Sequence, residues 1–281
     1  MENNTDLYSR SCYECSQLVT NRYSTSFSLG IKLFEQQLRM PIYAIYGFVR
    51  FADEIVDTFH GYNKEALLKR FRADTYQALD DKISLNPILH TFQQVVRRYN
   101  IETDLIDAFL DSMEMDLEDY NYTPAIYNKY IYGSAEVVGL MCLRIFCDGN
   151  NEQYQSLRQA ACSLGAAFQK VNFLRDIKSD FEERGRVYFP GIDYHTFSDQ
   201  DKADIEADIK QDFDDAYQGI IKLPKGARLG VYLAYVYYTN LLKKISRESA
   251  AKLADQRIRV SDGRKFLLLC NSAIRHRFNI L

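Results

Sequence analysis

The chain has 281 residues, 47% hydrophobic and 26% charged, with a net charge of −3. That composition supports a sizeable core, and it excludes a basic footprint for nucleic acid and a lysine/arginine-rich amphipathic stretch for an anionic membrane. The longest apolar runs, near 40–49 and 230–238, are too short to span a bilayer.

The N-terminus, with Glu2, Asn3, Asn4 and Thr5, does not read as a secretory signal. A soluble cytoplasmic protein is expected. Five prolines and thirteen glycines leave little room for a turn-rich β fold. Helices are expected near 6–21, 41–59, 63–81, 87–99, 102–119, 124–148, 151–182, 199–220, 226–254 and 262–278, forming one all-α domain over 1–281 with no linker. Pro87 after Asn86 and Pro124 after Thr123 each place an N-cap residue before a proline at the first helical position. Pro41 is expected to open its helix in the same way.

In the first helix, Cys12 and Cys15 form an isolated Cys-x-x-Cys with no second pair at zinc-site spacing, so they read as neighbouring core thiols. Cys142, Cys147, Cys162 and Cys270 sit in apolar helical patterns, and His60, His90, His195 and His276 form no cluster. Next comes Tyr23-Ser24-Thr25-Ser26-Phe27-Ser28, a hydroxyl-rich stretch that reads as a loop with an N-cap. It could also offer hydroxyl and backbone donors to a phosphate.

The helix after it carries Arg50, Asp53 and Asp57 within otherwise apolar sequence. Carboxylates on a helix buried on most sides need partners or a metal. Further along, Asp111, Glu114, Asp116, Glu118 and Asp119 read mostly as a solvated face. The stretch Gln169 to Asp180 repeats the acid pattern: Gln169, Asn172, Asp176 and Asp180 share one helix face, with Arg175 beside them. Like charges four apart disfavour an isolated helix by roughly 0.2–0.5 kcal/mol, so a cation over the stripe is expected. One such pair alone reads as a solvated face. Two facing pairs make an oxygen-ligand site for Mg²⁺ bridged to a phosphate group. Arg184, Gly185 and Arg186 then look like a loop closing over the site, or a plain helix C-cap.

These residues carry a resemblance. Ser24-x-Ser26-Phe27, Tyr46-x-x-x-Arg50-x-x-Asp53-x-x-x-Asp57, Tyr132-Gly133-x-Ala135, Gln169-x-x-Asn172-x-x-Arg175-Asp176-x-x-x-Asp180 and Arg184-Gly185-Arg186-Val187-Tyr188-Phe189-Pro190 resemble, in order, the blocks of the squalene and phytoene synthase family. The match runs from about Tyr23 to the last helix. It implies an isoprenoid-synthase helical bundle around a central apolar cavity. It also implies that Asp53, Asp57, Asn172, Asp176 and Asp180 hold Mg²⁺ ions on the diphosphates of two prenyl substrates. By the same resemblance Tyr23, Ser24, Thr25, Ser26, Phe27, Tyr46, Arg50, Gln169, Asn172, Arg175, Tyr238 and Arg257 contact substrate, and Tyr132 lies close to the reacting carbons.

The resemblance further implies a two-step chemistry. One allylic diphosphate ionises, its cation alkylates the 2,3 double bond of a second, and loss of a proton gives a cyclopropylcarbinyl diphosphate. A second ionisation, rearrangement and proton loss then give the hydrocarbon. The chain resembles the bacterial phytoene-forming members of the family in length and shows neither a C-terminal membrane helix nor a glycine-rich nicotinamide fingerprint, so two geranylgeranyl diphosphates and phytoene are the expected substrate and product. The alternatives are squalene or dehydrosqualene synthesis from farnesyl diphosphate, or an inactive family-like scaffold, against which the complete acid motifs stand. Glu136 departs from the family by replacing a small residue on a helix expected to line the cavity, so either it points away from the hydrocarbon or the cavity is reshaped there. Peripheral membrane contact suits a greasy product. No obligate protein partner and no nucleic acid are implied.

Overall fold

The computed structural model describes residues 4–118, 121–256 and 258, and no strand occurs among them. The elements are α1 (Asn4–Tyr23), α2 (Thr25–Lys32), α3 (Gln36–Asp57), α4 (Lys64–Asp81), α5 (Pro87–Tyr99), α6 (Thr103–Met115), α7 (Pro124–Ile131), a π turn (Tyr132–Glu136), α8 (Val137–Cys147), α9 (Asn151–Arg184), a 3-10 turn (Tyr194–Thr196), α10 (Asp199–Ile220), α11 (Lys225–Ile245) and α12 (Ala250–Leu253). Side-chain caps set many of the starts. Ser24, Asn63, Asn86, Thr123, Asn150, Ser198 and Ser249 each accept a hydrogen bond from a backbone N–H two or three residues on.

Several expectations are corrected. Ser24 is an N-cap, but a helix (α2) follows it rather than a loop. Pro41 does not open α3; it sits inside, near the start, where its missing N–H costs one early hydrogen bond. The helix expected over 102–119 ends at Met115, with Asp116 as its C-cap. The one expected over 226–254 breaks after Ile245, and Ser249 caps a new turn. The helix expected near 262–278 lies outside the described residues, as do Cys270 and His276.

The run Pro124–Cys147 is long and apolar enough to cross a membrane by length and composition, a feature the shorter apolar runs did not reveal. Over half of its most apolar window is buried inside the protein, where α8 packs on α3, α6 and α9. That is the signature of a core helix.

Two apolar clusters hold the bundle. One joins α3, α4, α5, α6 and α8, with Phe48 stacked on Phe92 at 3.7 Å between ring centroids. The other joins α7, α9, α10 and α11 around Tyr130, Phe173 and Tyr188. Burying a Phe or Leu side chain contributes about 1.5–3 kcal/mol, which is why helices with mixed faces dock here. α9 is the spine: it runs 34 residues and packs against α8 on one side and α10 on the other. At Gly165 a Cβ would lie 2.8 Å from the Ala135 carbonyl oxygen, so only glycine lets α9 press this closely on the π turn.

Candidate active site

The helices leave a cavity of about 420 Å³ between α2, α3, α8, α9, α10 and α11. Its wall is mostly apolar, and Asp53, Gln169 and Asn172 lie at one end of it. α3 supplies Asp53, Val49, Tyr46, Ile45 and Ile42 in descending order, one face of a helix. α9 supplies Asn172, Gln169, Phe168, Gly165, Leu164, Ala161, Ala160 and Leu157 on the opposite wall. The two acid-bearing helices therefore face each other across the cavity.

Of the residues expected to act, Ser26, Phe27, Tyr46, Asp53, Gln169, Asn172 and Tyr238 line the cavity. Ser24 hydrogen-bonds the Tyr46 phenol. Tyr23 lies under Arg50, whose guanidinium carbon is 4.5 Å from the ring centroid. Tyr238 donates to Asn172 Oδ1 at 3.4 Å, stacks on Phe168 at 4.1 Å, and feels the charges of Arg175 and Asp176. Burial pushes the Tyr46 and Tyr238 phenols up, so both stay protonated and can donate. Asp57, one turn beyond Asp53, is the last residue of α3, and Asp180 lies one turn beyond Asp176 on α9. Thr25 is exposed at the start of α2, at the margin of the group.

Both arginines are held by neighbouring carboxylates. Arg175 donates through Nε and Nη2 to the two oxygens of Asp176, at 2.9 and 2.5 Å. Arg50 donates from Nε to Glu54 Oε2 at 3.1 Å, and its Nη2 also bonds that oxygen. Burial works against each guanidinium charge, but these bonds outweigh it and leave both arginines raised. Glu54 is correspondingly lowered: burial pushes it up, and the Arg50 hydrogen bond pulls it down further. Sequence reasoning passed over Glu54 and the cavity-lining Tyr237. The i,i+4 spacing of Arg50 and Glu54 was the available signal for the first.

Two expectations, for Tyr132 and Arg186, are not met. Tyr132, the first residue of the π turn, is 37% exposed and absent from the cavity wall, whereas Ser134 and Ala135 of the same turn line it. Glu136 follows the first of its two alternatives: it stays off the cavity wall, hydrogen-bonds Cys162 and senses Asp212 and Lys170. Arg186 is not a phosphate clamp. It is buried, donating to Asp116 Oδ1 at 3.0 Å and to the carbonyls of Asp116 and Glu118 at 3.0 and 2.7 Å. The acidic run is thus only partly a solvated face. Arg257 lies outside the described residues.

Among the described residues, no three Asp, Glu, His or Cys side chains converge closely enough to form an all-protein metal cage. The donor set instead fits the way Mg²⁺ is usually held, by one or two carboxylates plus substrate phosphate oxygens. Of the five hard oxygen donors, Asp53 and Asn172 line the cavity from facing helices, while Asp57 follows Asp53 by one turn and Asp176 and Asp180 follow Asn172 by one and two turns.

Residues 20–264 match the family model described as squalene/phytoene synthase. The chain is 28% identical to phytoene synthase 1, chloroplastic, of Solanum lycopersicum over 290 aligned positions, covering 95% of this chain and 68% of that one. It is 29% identical to the 15-cis-phytoene synthase of a Paracoccus species, covering 82% and 75%. Its fold superposes on the crystal structure of a dehydrosqualene synthase with a TM-score of 0.80 at 20% identity, covering 96% of this chain and 98% of that one. On the squalene synthase of Alicyclobacillus acidocaldarius the TM-score is 0.75 at 20% identity, covering 86% and 95%. At such identity the structural likenesses speak for the fold alone.

Proposed function

This chain belongs to the squalene/phytoene synthase family and is a prenyltransferase-type enzyme, and from that premise we propose that it condenses two geranylgeranyl diphosphates head to head into phytoene. One observation carries the substrate assignment: the curated relatives reported above are named phytoene synthase. Below Gln169 and Asn172, which serve the diphosphate end, α9 lines the cavity from Phe168 to Leu157, eleven steps or about 16 Å at 1.5 Å per residue. With C–C bonds near 1.5 Å, an extended isoprene unit spans roughly 5 Å, so three units need about 15 Å and four about 20 Å, and this wall accepts an extended chain of either class. The farnesyl alternative, squalene or dehydrosqualene synthesis, has the fold likeness in its favour.

The chain's own residues suit each step. Mg²⁺ bound at Asp53, Asp57, Asn172, Asp176 and Asp180 would neutralise charge on the departing diphosphate. Arg50 and Arg175 exchange their carboxylate partners for diphosphate oxygens, where a guanidinium fork binds well. The neutral phenols of Tyr46 and Tyr238, with Gln169 and the Ser24–Ser26 hydroxyls, donate to the same oxygens. Below them the apolar wall keeps water from the carbocations. The rings of Phe27, Phe168, Tyr237 and Tyr238 offer π faces to positive charge. The cyclopropylcarbinyl diphosphate formed first is held for its own ionisation by the same arginines. The released diphosphate accepts the final proton.

The test is incubation of the purified protein with Mg²⁺ and geranylgeranyl diphosphate, without reduced nicotinamide, followed by chromatography of extracted hydrocarbons. A forty-carbon conjugated triene is expected. Asp53→Ala and Asp176→Ala should each lower its formation by roughly 10²-fold or more. Turnover of farnesyl diphosphate alone would move the enzyme to the thirty-carbon branch.

A further inference from the structure

The end of the cavity farthest from the aspartates holds an arrangement that the diphosphate chemistry does not use. α2 runs from the mouth inward and α11 runs outward, so Gly30, Phe34 and Gly230 lie deep while Phe27 and Tyr238 lie near the acids. The Glu35 N–H donates to the Gly226 carbonyl at 2.9 Å and ties the end of α2 to the first turn of α11. Where the helices cross, a Cβ on Gly230 would sit 2.3 and 2.5 Å from two ring carbons of Phe34, and 2.8 Å from the Gly30 oxygen. The Phe34 ring thus lies against a residue that can only be glycine without something moving. It also meets Phe146, with centroids 5.2 Å apart and the rings tilted by 55°. Phe146 is the last cavity residue of α8, twelve positions or about 18 Å along the helix from Ser134.

We infer that the Phe34 ring, packed against both Gly230 and Phe146, is the floor that measures the prenyl chain and limits its length. This rests on reading the cavity as the prenyl-tail tunnel. The two contacts make opposite demands on substitution. Trimming Phe34 vacates space comparable to one five-carbon unit and admits a longer chain. A methyl group at position 230 drives the ring into the tunnel and selects a shorter one. Buried carbons discriminate strongly enough to read, since one methylene in an apolar pocket changes specificity by about tenfold or more.

The experiment uses the full chain with Mg²⁺ and unreactive thiolodiphosphate analogues of fifteen, twenty and twenty-five carbons, their binding measured by calorimetry. Turnover of the three natural diphosphates is followed in parallel. Phe34→Leu and Phe34→Ala should raise affinity for the twenty-five-carbon analogue relative to the twenty-carbon one by roughly tenfold, and Gly230→Ala should lower the twenty-to-fifteen ratio similarly. Affinity for inorganic diphosphate should stay constant in all three. If Gly230→Ala fails to fold, Phe34→Leu, the mildest change, decides the matter. Length ratios unmoved within about twofold in folded variants would overturn the floor, even with phytoene formed. Turnover of only the fifteen-carbon substrate would overturn the proposed product, while shifted ratios would still uphold the floor.

Discussion

Glu136 stands beside the cavity yet turns its carboxyl to the other side of the wall, where it accepts from the Cys162 thiol. Burial pushes this carboxyl up, so the folded protein holds its proton more tightly than the unfolded chain does. A raised acid takes stability away as pH rises from the unfolded value, near 4.5, through the folded one. Glu136→Gln should therefore raise the melting temperature at pH 7 by a few degrees and change it little at pH 4, as thermal melts at the two values would show. An unchanged melt at pH 7 would mean that water reaches the carboxyl. The departure from the family pattern at this position was visible in sequence; the direction of the side chain was not. The π turn spaces its backbone bonds by five residues rather than four, which offsets the faces before and after it. At Gly133 a Cβ would come 2.4 Å from the Ala108 carbonyl oxygen, so this turn is set by contact with α6, which no local pattern reports.

At the scale of elements, the sequence was most legible where a cap or a long apolar stripe spoke for itself. Asn86-Pro87, Thr123-Pro124 and the α9 stripe all stand where expected. The eight residues of α2 are too few to show a period. The end of α9 illustrates a different limit, since an arginine after a helix can face either a ligand or the protein. Gly185, at φ 65°, caps α9 in the left-handed region and returns the chain so that Arg186 enters the bundle. There it fastens the end of α9 to the turn after α6, and Asp116 also accepts from the Tyr130 hydroxyl at 2.9 Å. Removing one partner of so buried a pair strands the other charge. Arg186→Ala should cost about 3–5 kcal/mol in denaturant unfolding. Arg186→Lys cannot reproduce the three-acceptor geometry and should recover only part of that loss. A loss below 1 kcal/mol would mean that the pair is open to water.

Across the whole molecule, the two acid motifs are carried by helices that do not form a closely packed pair. α3 is held by α1, α5 and α8, and α9 by α8 and α10, with the cavity between their acidic ends. The pairing of the motifs was legible because each repeats an arginine beside two aspartates, whereas the distance between them depends on every helix that separates them. This geometry makes the mouth the place where a ligand couples two halves of the bundle. Mg²⁺ alone meets carboxylates that already have partners, and diphosphate alone meets a mouth rich in negative charge. Together they supply the missing oxygens and the missing cations, and they bind only when both helices are in place. The expected result is conditional stabilisation. At a hundredfold excess over its dissociation constant a ligand adds about 2.7 kcal/mol, so Mg²⁺ with inorganic diphosphate should raise the melting temperature by several degrees. Either one alone should do much less, and Asp53→Ala or Asp176→Ala should abolish the joint effect, each variant being compared with its own ligand-free melt. Equal stabilisation by diphosphate without Mg²⁺ would assign the mouth to the arginines alone.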